Sequence, residues 1–469
     1  MTLPRILSLA ALLLSSLVLT PAPARADSLG PQDAERTKQL RETALNSNLA
    51  YAIDESLTTE VGPRFVGSPG DALAVKWAVA KMKELGFDKV WTEDVTHRLW
   101  RRGAAEAGIL APYPQKMVAI ALGGSVGTPE GGLRAEVIEF RDFAALEAAP
   151  TGSLDGKIAY VSYRMERKID GSGYGPAVKA RSAGPSAAAA KGAVAFVLRS
   201  VGTDDNRLGH TGGLNYKDGV ARIPAAALSN PDADLLSRQI ARGKPVEIFL
   251  KLGAERRDEI PVTTANVIGE ITGSEAPDEV VVMAAHLDSW DVGTGAVDDG
   301  IGVGVTLAAA HHIAQLPTRP KRTIRVILFA AEEVGLVGVK QYVKDHESEM
   351  ARHVIGAEWD FGTGRIYEMI PGVGPAALHQ IRELAAWLSP LGVSLSPKND
   401  ARGQSDLSLL GKAGMPAVNF SPDGMKYFDY HHTENDTLDK VDPEALKQNT
   451  AVFTIFSYFA AQSGIDFRK

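Results

Sequence analysis

One continuous stretch, residues 280–304, reads VVVMAAHLDSWDVGTGAVDDGIGVG and decides the fold. It begins with four apolar residues, 280–283, and reaches His286 through two alanines, a pattern typical of a strand buried in a parallel sheet. Helical spacing follows over 302–316, and a second apolar run occupies 323–329. Strands that alternate with helices in this way predict an α/β fold.

The remainder of this α/β domain is predicted from periodicity. Residues 34–60 and 71–85 carry apolar residues at helical spacing, which predicts two helices, and 89–95 alternates like a half-buried strand. Toward the C-terminus, 375–388 and 443–461 have the spacing of helices that cover the faces of a sheet.

The middle of the chain has a different sequence pattern. From about residue 114, short β-like runs are separated by turns rich in Gly and Pro, and one alanine-rich helix is predicted at 185–191. We interpret 114–262 as a β-rich module inserted into a domain made of 27–113 and 263–469. The alternative is that these runs continue the sheet of the first domain.

Residues 1–26 have the pattern of an export signal. Arg5 supplies a positive charge, residues 6–19 are apolar, and Ala24-Arg25-Ala26 has the small residues of a cleavage site. The alternative is a membrane anchor, but the apolar part is shorter than the roughly 20 residues that span a bilayer. We therefore predict a secreted or periplasmic protein that has no membrane association after cleavage.

Composition excludes several classes of function. The chain has 469 residues and a formal net charge of −7, and no dense block of Lys and Arg stands out, which makes nucleic acid a poor partner. It contains 0 Cys, which excludes a thiol nucleophile and disulfide bonds. Stability must therefore come from core burial and from bound metal.

Metal-capable groups are concentrated between His286 and Asp298. His286 offers an imidazole at the end of a strand, and Asp288 is predicted to accept a hydrogen bond from its second ring nitrogen, which would fix the tautomer. A turn rich in Gly then brings back Asp298. Because one carboxylate can hold two cations through its two oxygens, Asp298 is the natural bridge of a two-metal site.

The other predicted site residues follow later strands. Glu332 and Glu333 come just after the run at 323–329, the usual place for chemistry in open α/β sheets. These adjacent glutamates project in different directions, so they can divide the roles of general base and metal ligand. Asp360 follows another short apolar run and adds an acid at a strand end.

A second imidazole comes from the sequence YHHTENDT at 430–437. Either His431 or His432 could supply it on residue type alone. Ligands of His, Asp and Glu type without sulfur suit two zinc ions in a catalytic setting, and the predicted reaction is metal-assisted hydrolysis of a peptide bond.

Taken together, HLDSWDVGTGAVDDG at 286–300, AEE at 331–333, Asp360 and HTENDT at 432–437 resemble the co-catalytic zinc peptidases of the aminopeptidase type, and within them the carboxypeptidase Q family. The resemblance extends over nearly the whole chain after residue 26. It implies a mixed-sheet, phosphorylase/hydrolase-like α/β domain with an inserted β-rich protease-associated domain. It also implies a cis peptide between Asp298 and Asp299, and a homodimer.

The same resemblance assigns the site residue by residue. His286 and Asp360 would complete one zinc site, and Glu333 and His432 would complete the other. Asp298 would bridge the two zinc ions. The pattern H-T-x-x-D-T favours His432 over His431. Glu332 would be the general base, and we group Asp288 with it as a catalytic residue. The implied substrates are short peptides, namely dipeptides with free termini.

Three alternatives remain beside this interpretation. The first is a zinc aminopeptidase that acts on longer peptides, because the residues do not show which terminus is recognised. The second is a relative that kept the fold as a binding protein, although every predicted ligand is present. The third is a serine hydrolase built on GGSVG at 123–127, which lacks the helix that must follow such a nucleophile.

Overall fold

The computed structural model describes residues 29–469. The predicted export signal, 1–26, lies outside the described residues. The strands, in chain order, are β1 (Lys89–Arg101), β2 (Ala105–Ala111), β3 (Gln115–Met117), β4 (Ala119–Ala121), β5 (Leu133–Phe140), β6 (Ile158–Val161), β7 (Ala195–Arg199), β8 (Ala225–Leu228), β9 (Glu247–Leu252), β10 (Glu255–Ile271), β11 (Ala276–His286), β12 (Arg322–Phe329), β13 (His353–Glu358), β14 (Ile366–Gly372), β15 (Ser394–Leu395) and β16 (Ala417–Pro422).

The helices, in chain order, are α1 (Pro31–Leu45), α2 (Leu49–Glu60), α3 (Pro69–Glu84), α4 (Phe143–Glu147), α5 (Tyr174–Ala189), α6 (Asn230–Ile240), α7 (Ile301–Ala314), α8 (Val337–Asp345), α9 (Ala377–Leu388), α10 (Leu407–Lys412), α11 (Tyr427–Tyr430) and α12 (Pro443–Gln462). In the part of the chain that is described, no helix is both long and apolar enough to cross a membrane.

The first sheet has the strand order β1-β10-β12-β11-β13-β16-β14-β15 and contains both parallel and antiparallel pairs. Its centre is parallel, since β11 pairs in parallel with β12 on one side and with β13 on the other. All eight residues of β12 are buried, as expected for a strand that is covered on both faces. The prediction of a mixed-sheet α/β fold is confirmed.

Two helices cover one face of this centre. α7 packs against β11 and α2, and α12 packs against α1, α7 and β11. Residues of α7 and α12 are buried almost throughout, which explains their apolar composition. Burial of this kind is the main stabilising contribution, at about 25 cal/mol per Å² of apolar surface.

The second sheet has the order β3-β2-β9-β5-β6-β7-β8-β4 and uses only residues between 105 and 252. In sequence it lies between β1 and β10, which pair antiparallel from Lys89 opposite Glu270 to Arg101 opposite Glu255. The chain therefore leaves the first sheet and returns to it at adjacent points. These limits differ from the predicted 114–262, because β2 pairs with β9 and because residues 255–262 still belong to β10.

Two details of the predicted helices were wrong. The stretch 34–60 is two helices, because the chain turns at Asn46-Ser47-Asn48 and the Ser47 hydroxyl accepts a hydrogen bond from the amide of Leu49. The helix predicted at 185–191 is α5, which starts eleven residues earlier and contains Pro185. Small residues dominate α5, so its apolar periodicity is weak in the sequence.

Candidate metal centre

The predicted ligands lie at one edge of the first sheet. His286 is the last residue of β11, Glu332 and Glu333 follow β12, and Asp360 follows β13. These three strands are parallel neighbours, so their carboxyl ends meet at the same edge, where open α/β sheets place their ligands.

Asp298 lies between two groups of ligand-type side chains. Its Oδ1 is 3.1 Å from His286 Nε2, and the same nitrogen is 3.6 Å from Asp360 Oδ1. Its Oδ2 is 3.4 Å from His432 Nε2, which in turn is 3.0 Å from Glu333 Oε2. One carboxylate thus faces both groups through different oxygens, as a bridging ligand would.

Asp298 sits in an irregular turn of the backbone. The segment Ala296–Gly300 precedes α7 and has non-helical backbone angles at Asp298 and Asp299, and the peptide between these two residues is cis, as the resemblance implies. Asp299 also reaches the cluster, but its two oxygens accept hydrogen bonds from the amides of His286 and Gly302, at 3.2 and 3.1 Å. Its carboxylate therefore holds the backbone of the turn.

Both adjacent histidines of the C-terminal loop are close to the cluster. Their rings stack with centroids 3.5 Å apart, and His431 Nε2 is 3.8 Å from Asp298 Oδ2. His432 lies nearer to Asp298 and also contacts Glu333. The distances favour His432 as the ligand, and they leave His431 beside it as part of the wall.

Asp288 makes a different contact from the one predicted. His286 Nδ1 is 3.0 Å from the backbone carbonyl of Asp288, while the nearer carboxylate oxygen of Asp288 is 3.8 Å away. That carboxylate accepts hydrogen bonds from the amides of Glu332 and Glu333, at 3.0 and 3.3 Å. The tautomer of His286 is fixed by the main chain, and the Asp288 side chain positions the glutamate pair.

Glu332 is held by a residue far along the chain. The hydroxyl of Ser405 donates a hydrogen bond of 2.6 Å to Glu332 Oε1. Burial raises the pKa of Glu332 to about 7, and the charge of His286 and this hydrogen bond limit the rise. The carboxyl group therefore titrates close to neutral pH, which suits a group that accepts and returns a proton.

The side chains present fit bound metal ions. Asp298 Oδ2 and Glu333 Oε1 are buried and have no hydrogen-bond partner, although a buried carboxylate without a partner is costly. Burial and the neighbouring charges of Asp298 and Glu332 raise the pKa of Glu333 well above its ordinary value. Cations would remove both costs, and donors that are imidazole nitrogen and carboxylate oxygen, without sulfur, suit zinc.

The C-terminal loop that carries His432 is held by residues that connect β7 and β8 of the second sheet. His432 has a φ of 62°, and its backbone carbonyl accepts a hydrogen bond of 3.0 Å from the amide of Thr211. The buried ring of His210 lies between the carbonyl of His431, at 2.8 Å, and the carboxylate of Asp204, at 2.7 Å. Residues 204–211 therefore hold the loop that carries His432 in an unfavourable backbone conformation.

A cavity of about 490 Å³ opens onto the cluster. Residues 105–252, here called the second-sheet segment, line part of it with Tyr174, Arg181 and Asn215. The first domain lines the remainder. Neither Arg181 nor Tyr174 was singled out in the sequence. Tyr427 was also missed; it lines the cavity, and burial keeps its phenol neutral by raising its pKa.

After removal of metal, the stability of the folded protein should decrease as pH rises. Burial raises the pKa of Asp436, below the Asp298 turn, to about 8, and that of Glu332 to about 7. Both values exceed those of an unfolded chain, so the folded state binds more protons and loses stability as pH rises through them. We expect the melting temperature of chelator-treated protein to fall by roughly 3–10 °C between pH 6 and pH 8.

Metal-loaded protein is the control for that scan. Its cations favour the ionised carboxylates, so the gap in melting temperature between loaded and metal-free protein should widen as pH rises. Scanning calorimetry at pH 6, 7 and 8 measures both quantities. A gap that narrows toward pH 8 would contradict the assignment of these buried acids to a metal centre.

The comparisons with known proteins agree with this geometry. Residues 266–456 match the model of peptidase family M28. Carboxypeptidase Q of Rattus norvegicus is 36% identical over 414 residues, which cover 88% of this chain and 85% of the relative. The chain belongs to peptidase family M28. It is therefore a metallopeptidase of the type that includes carboxypeptidases and aminopeptidases, and the resemblance read from its motifs is confirmed.

Two solved structures have a fold similar to that of this chain. A peptidase M28 precursor from Shewanella amazonensis SB2B superimposes with a TM-score of 0.91 at 50% identity, covering 93% of this chain and 98% of the other. A zinc aminopeptidase from Bacillus subtilis gives a TM-score of 0.63 at 23% identity, covering 90% of this chain and 98% of the other. The latter likeness concerns the fold alone.

Proposed function

We propose that this M28 peptidase hydrolyses short peptides, specifically dipeptides with free termini, with two zinc ions and with Glu332 as general base. The observation that carries the proposal is the position of Asp298, whose two oxygens face His286 on one side and His432 on the other. His286 and Asp360 would hold one zinc, Glu333 and His432 the other, and Asp298 both.

When bound, the zinc ions would polarise the scissile carbonyl and lower the pKa of the attacking water. The protein supplies the proton transfer. Glu332 Oε1 accepts from Ser405, which leaves Oε2 free to take a proton from the attacking water and deliver it to the amine that leaves. Asp288 positions this carboxylate by holding the amides of Glu332 and Glu333.

The experiment is hydrolysis of a dipeptide panel with free and blocked termini, before and after chelation and after zinc is restored. The proposal expects cleavage that the chelator abolishes and zinc restores, with a requirement for both free termini. Cleavage of longer peptides that needs only a free amine would identify an aminopeptidase. Absence of hydrolysis with zinc bound would identify a binding protein that kept the fold.

Ser405→Ala should shift the pH profile in a predictable direction. The hydrogen bond from Ser405 lowers the pKa of Glu332, so its loss raises that pKa, and the base is then protonated at a higher pH. We expect kcat at pH 6 to fall by up to about tenfold and kcat at pH 9 to change by less than about twofold.

Ser408→Ala is the matched control, because Ser408 lines the same cavity and lies one turn farther along. Its pH profile should coincide with that of the wild type. A uniform loss across the whole pH range in Ser405→Ala would show that Ser405 acts on something other than the protonation of Glu332.

Three further properties belong to the same proposal. Residues 1–26 direct export, so the mature chain works outside the cytoplasm, secreted or in a periplasm. The segment that forms the second sheet, residues 105–252, is a protease-associated domain that walls the cleft. The functional unit is a homodimer. The mass of the exported polypeptide tests the cleavage after residue 26. The molecular mass of the native protein in solution tests the homodimer.

A further inference from the structure

Arg181 is a buried cation that faces the cavity without an anionic partner. It lies on α5 and is 6% exposed. Its Nη2 donates to the Tyr174 hydroxyl at 2.8 Å, and its Nη1 is 3.4 Å from the carbonyl of Thr211. Its Nε is buried and has no hydrogen-bond partner. Part of this guanidinium group is therefore unsatisfied although it has been removed from water.

Other buried arginines of the described chain are fully engaged. The ion pairs of Arg199 with Asp234 and of Arg325 with Glu270 have distances of 2.5 and 2.6 Å, and both arginines make further hydrogen bonds. Arg64 donates to four backbone carbonyls, those of Gly62, Leu287, Thr294 and Gly295. The incomplete bonding of Arg181 is thus a local feature of the cavity rather than a general property of this core.

The guanidinium group of Arg181 occupies a formed slot. It lies against Gly212, where an added Cβ would come within 2.3 Å of its Cζ, and Gly212 has a φ of +135°. On another side its Cζ is 5.5 Å from the centre of the Tyr174 ring. A planar donor held in this way loses little entropy when it binds a planar anion.

The position of Arg181 relative to the metal centre restricts the ligand. Its Nη1 is 3.5 Å from His432 Nδ1, and the other nitrogen of that imidazole faces Asp298 and Glu333. One ring therefore separates the guanidinium group from the cluster. One amino-acid residue spans about 3.3–3.6 Å, so a single residue beyond the scissile bond is enough to bring a carboxylate to Arg181.

We propose that Arg181 binds the C-terminal carboxylate of the substrate and thereby selects peptides with one residue after the scissile bond. This inference rests on the proposed peptidase function and names the residue of the same cavity that recognises the C-terminus of the substrate. Among the described residues that line the cavity, Arg181 is the only Lys or Arg, whereas Asp298, Glu332, Glu333 and Asp360 are acids. A free carboxylate would otherwise be repelled by these acids.

The test compares one dipeptide as the free acid and as its C-terminal amide, with the zinc-loaded full-length mature enzyme. Wild-type kcat/KM should favour the acid by about 10- to 100-fold, because a charge-assisted contact is lost in the amide. Arg181→Gln should lower kcat/KM for the acid by the same factor and leave the amide unchanged, so that the preference disappears.

Lys179→Gln is the matched control, since it removes a positive charge from an exposed position on the same helix. It should keep the wild-type preference. A loss of rate that is equal for acid and amide in Arg181→Gln would overturn the proposal and assign Arg181 to the support of His432.

The wild-type ratio needs no variant, so it keeps the proposal falsifiable even if Arg181→Gln fails to fold. Equal cleavage of acid and amide by the wild type would overturn the proposal while the peptidase function stands. Failure of the peptidase function itself would be distinct, since neither substrate would then be cleaved in a zinc-dependent way.

Discussion

Glu332→Gln is expected to lower kcat by about 10²- to 10⁴-fold while the protein keeps its bound metal. Glutamine has the same size and can still accept the hydrogen bond from Ser405, but it cannot take a proton from water at neutral pH. The loss should appear in kcat rather than in KM, because proton transfer is needed only in the transition state. Steady-state kinetics together with metal analysis of the same sample measure both quantities.

Glu434→Gln is a suitable control for this experiment. Glu434 lies two residues after His432, is exposed, and does not line the cavity. The variant should match the wild type in rate and metal content. Unchanged turnover in Glu332→Gln would remove Glu332 from the mechanism, whereas loss of metal from that variant would make it a ligand instead of a base.

Asp298→Ala should have the largest effect on metal binding. Asp298 faces both ligand groups, so under the proposed two-zinc arrangement its loss would remove one oxygen ligand from each metal and the bridge between them. We expect metal content to fall from about two to at most one per chain, and activity to fall by about 10³-fold or more.

The fold should survive this change, because one carboxylate fewer lowers the repulsion inside a buried acidic cluster. Asp278→Ala is the control, since Asp278 is an exposed carboxylate on β11, the strand that ends at His286. Metal analysis after extensive dialysis separates the two variants. Retention of two metals by Asp298→Ala would show that Asp298 is not a bridge.

The central part of this site could be predicted from the sequence because its residues directly follow recognisable strands. Three of the predicted ligands each follow an apolar run that must be a buried strand, and parallel strands bring their carboxyl ends to one edge. His286, Glu333 and Asp360 were found in this way, and the structure brings them together around Asp298.

The other parts of the site could not be read from local patterns. Arg181 and Tyr174 belong to α5, more than 100 residues before the first ligand, and reach the cavity only because the second-sheet segment folds over it. The contact of Ser405 with Glu332 depends on a separation of 73 residues. Nothing in the spacing of these residues indicates that they meet.

The hydrogen-bond partner of the Asp288 carboxylate could not be predicted for a similar reason. A carboxylate two residues after a histidine suggested a contact between the two side chains, but sequence spacing does not reveal competing donors. In the fold, the amides of Glu332 and Glu333 lie nearer to that carboxylate than His286 Nδ1 does. The positions of backbone amides in a neighbouring loop cannot be predicted from residue types, although these amides determine the orientation of a buried carboxylate.

The most direct test of the central claim is an anomalous difference map recorded at the zinc edge from crystals of the protein. Two peaks about 3.5–4 Å apart, one on either side of the Asp298 carboxylate, are the predicted result. His286 and Asp360 should border one peak, with Glu333 and His432 bordering the other. A single peak, or peaks away from Asp298 after zinc is supplied, would contradict the two-metal account.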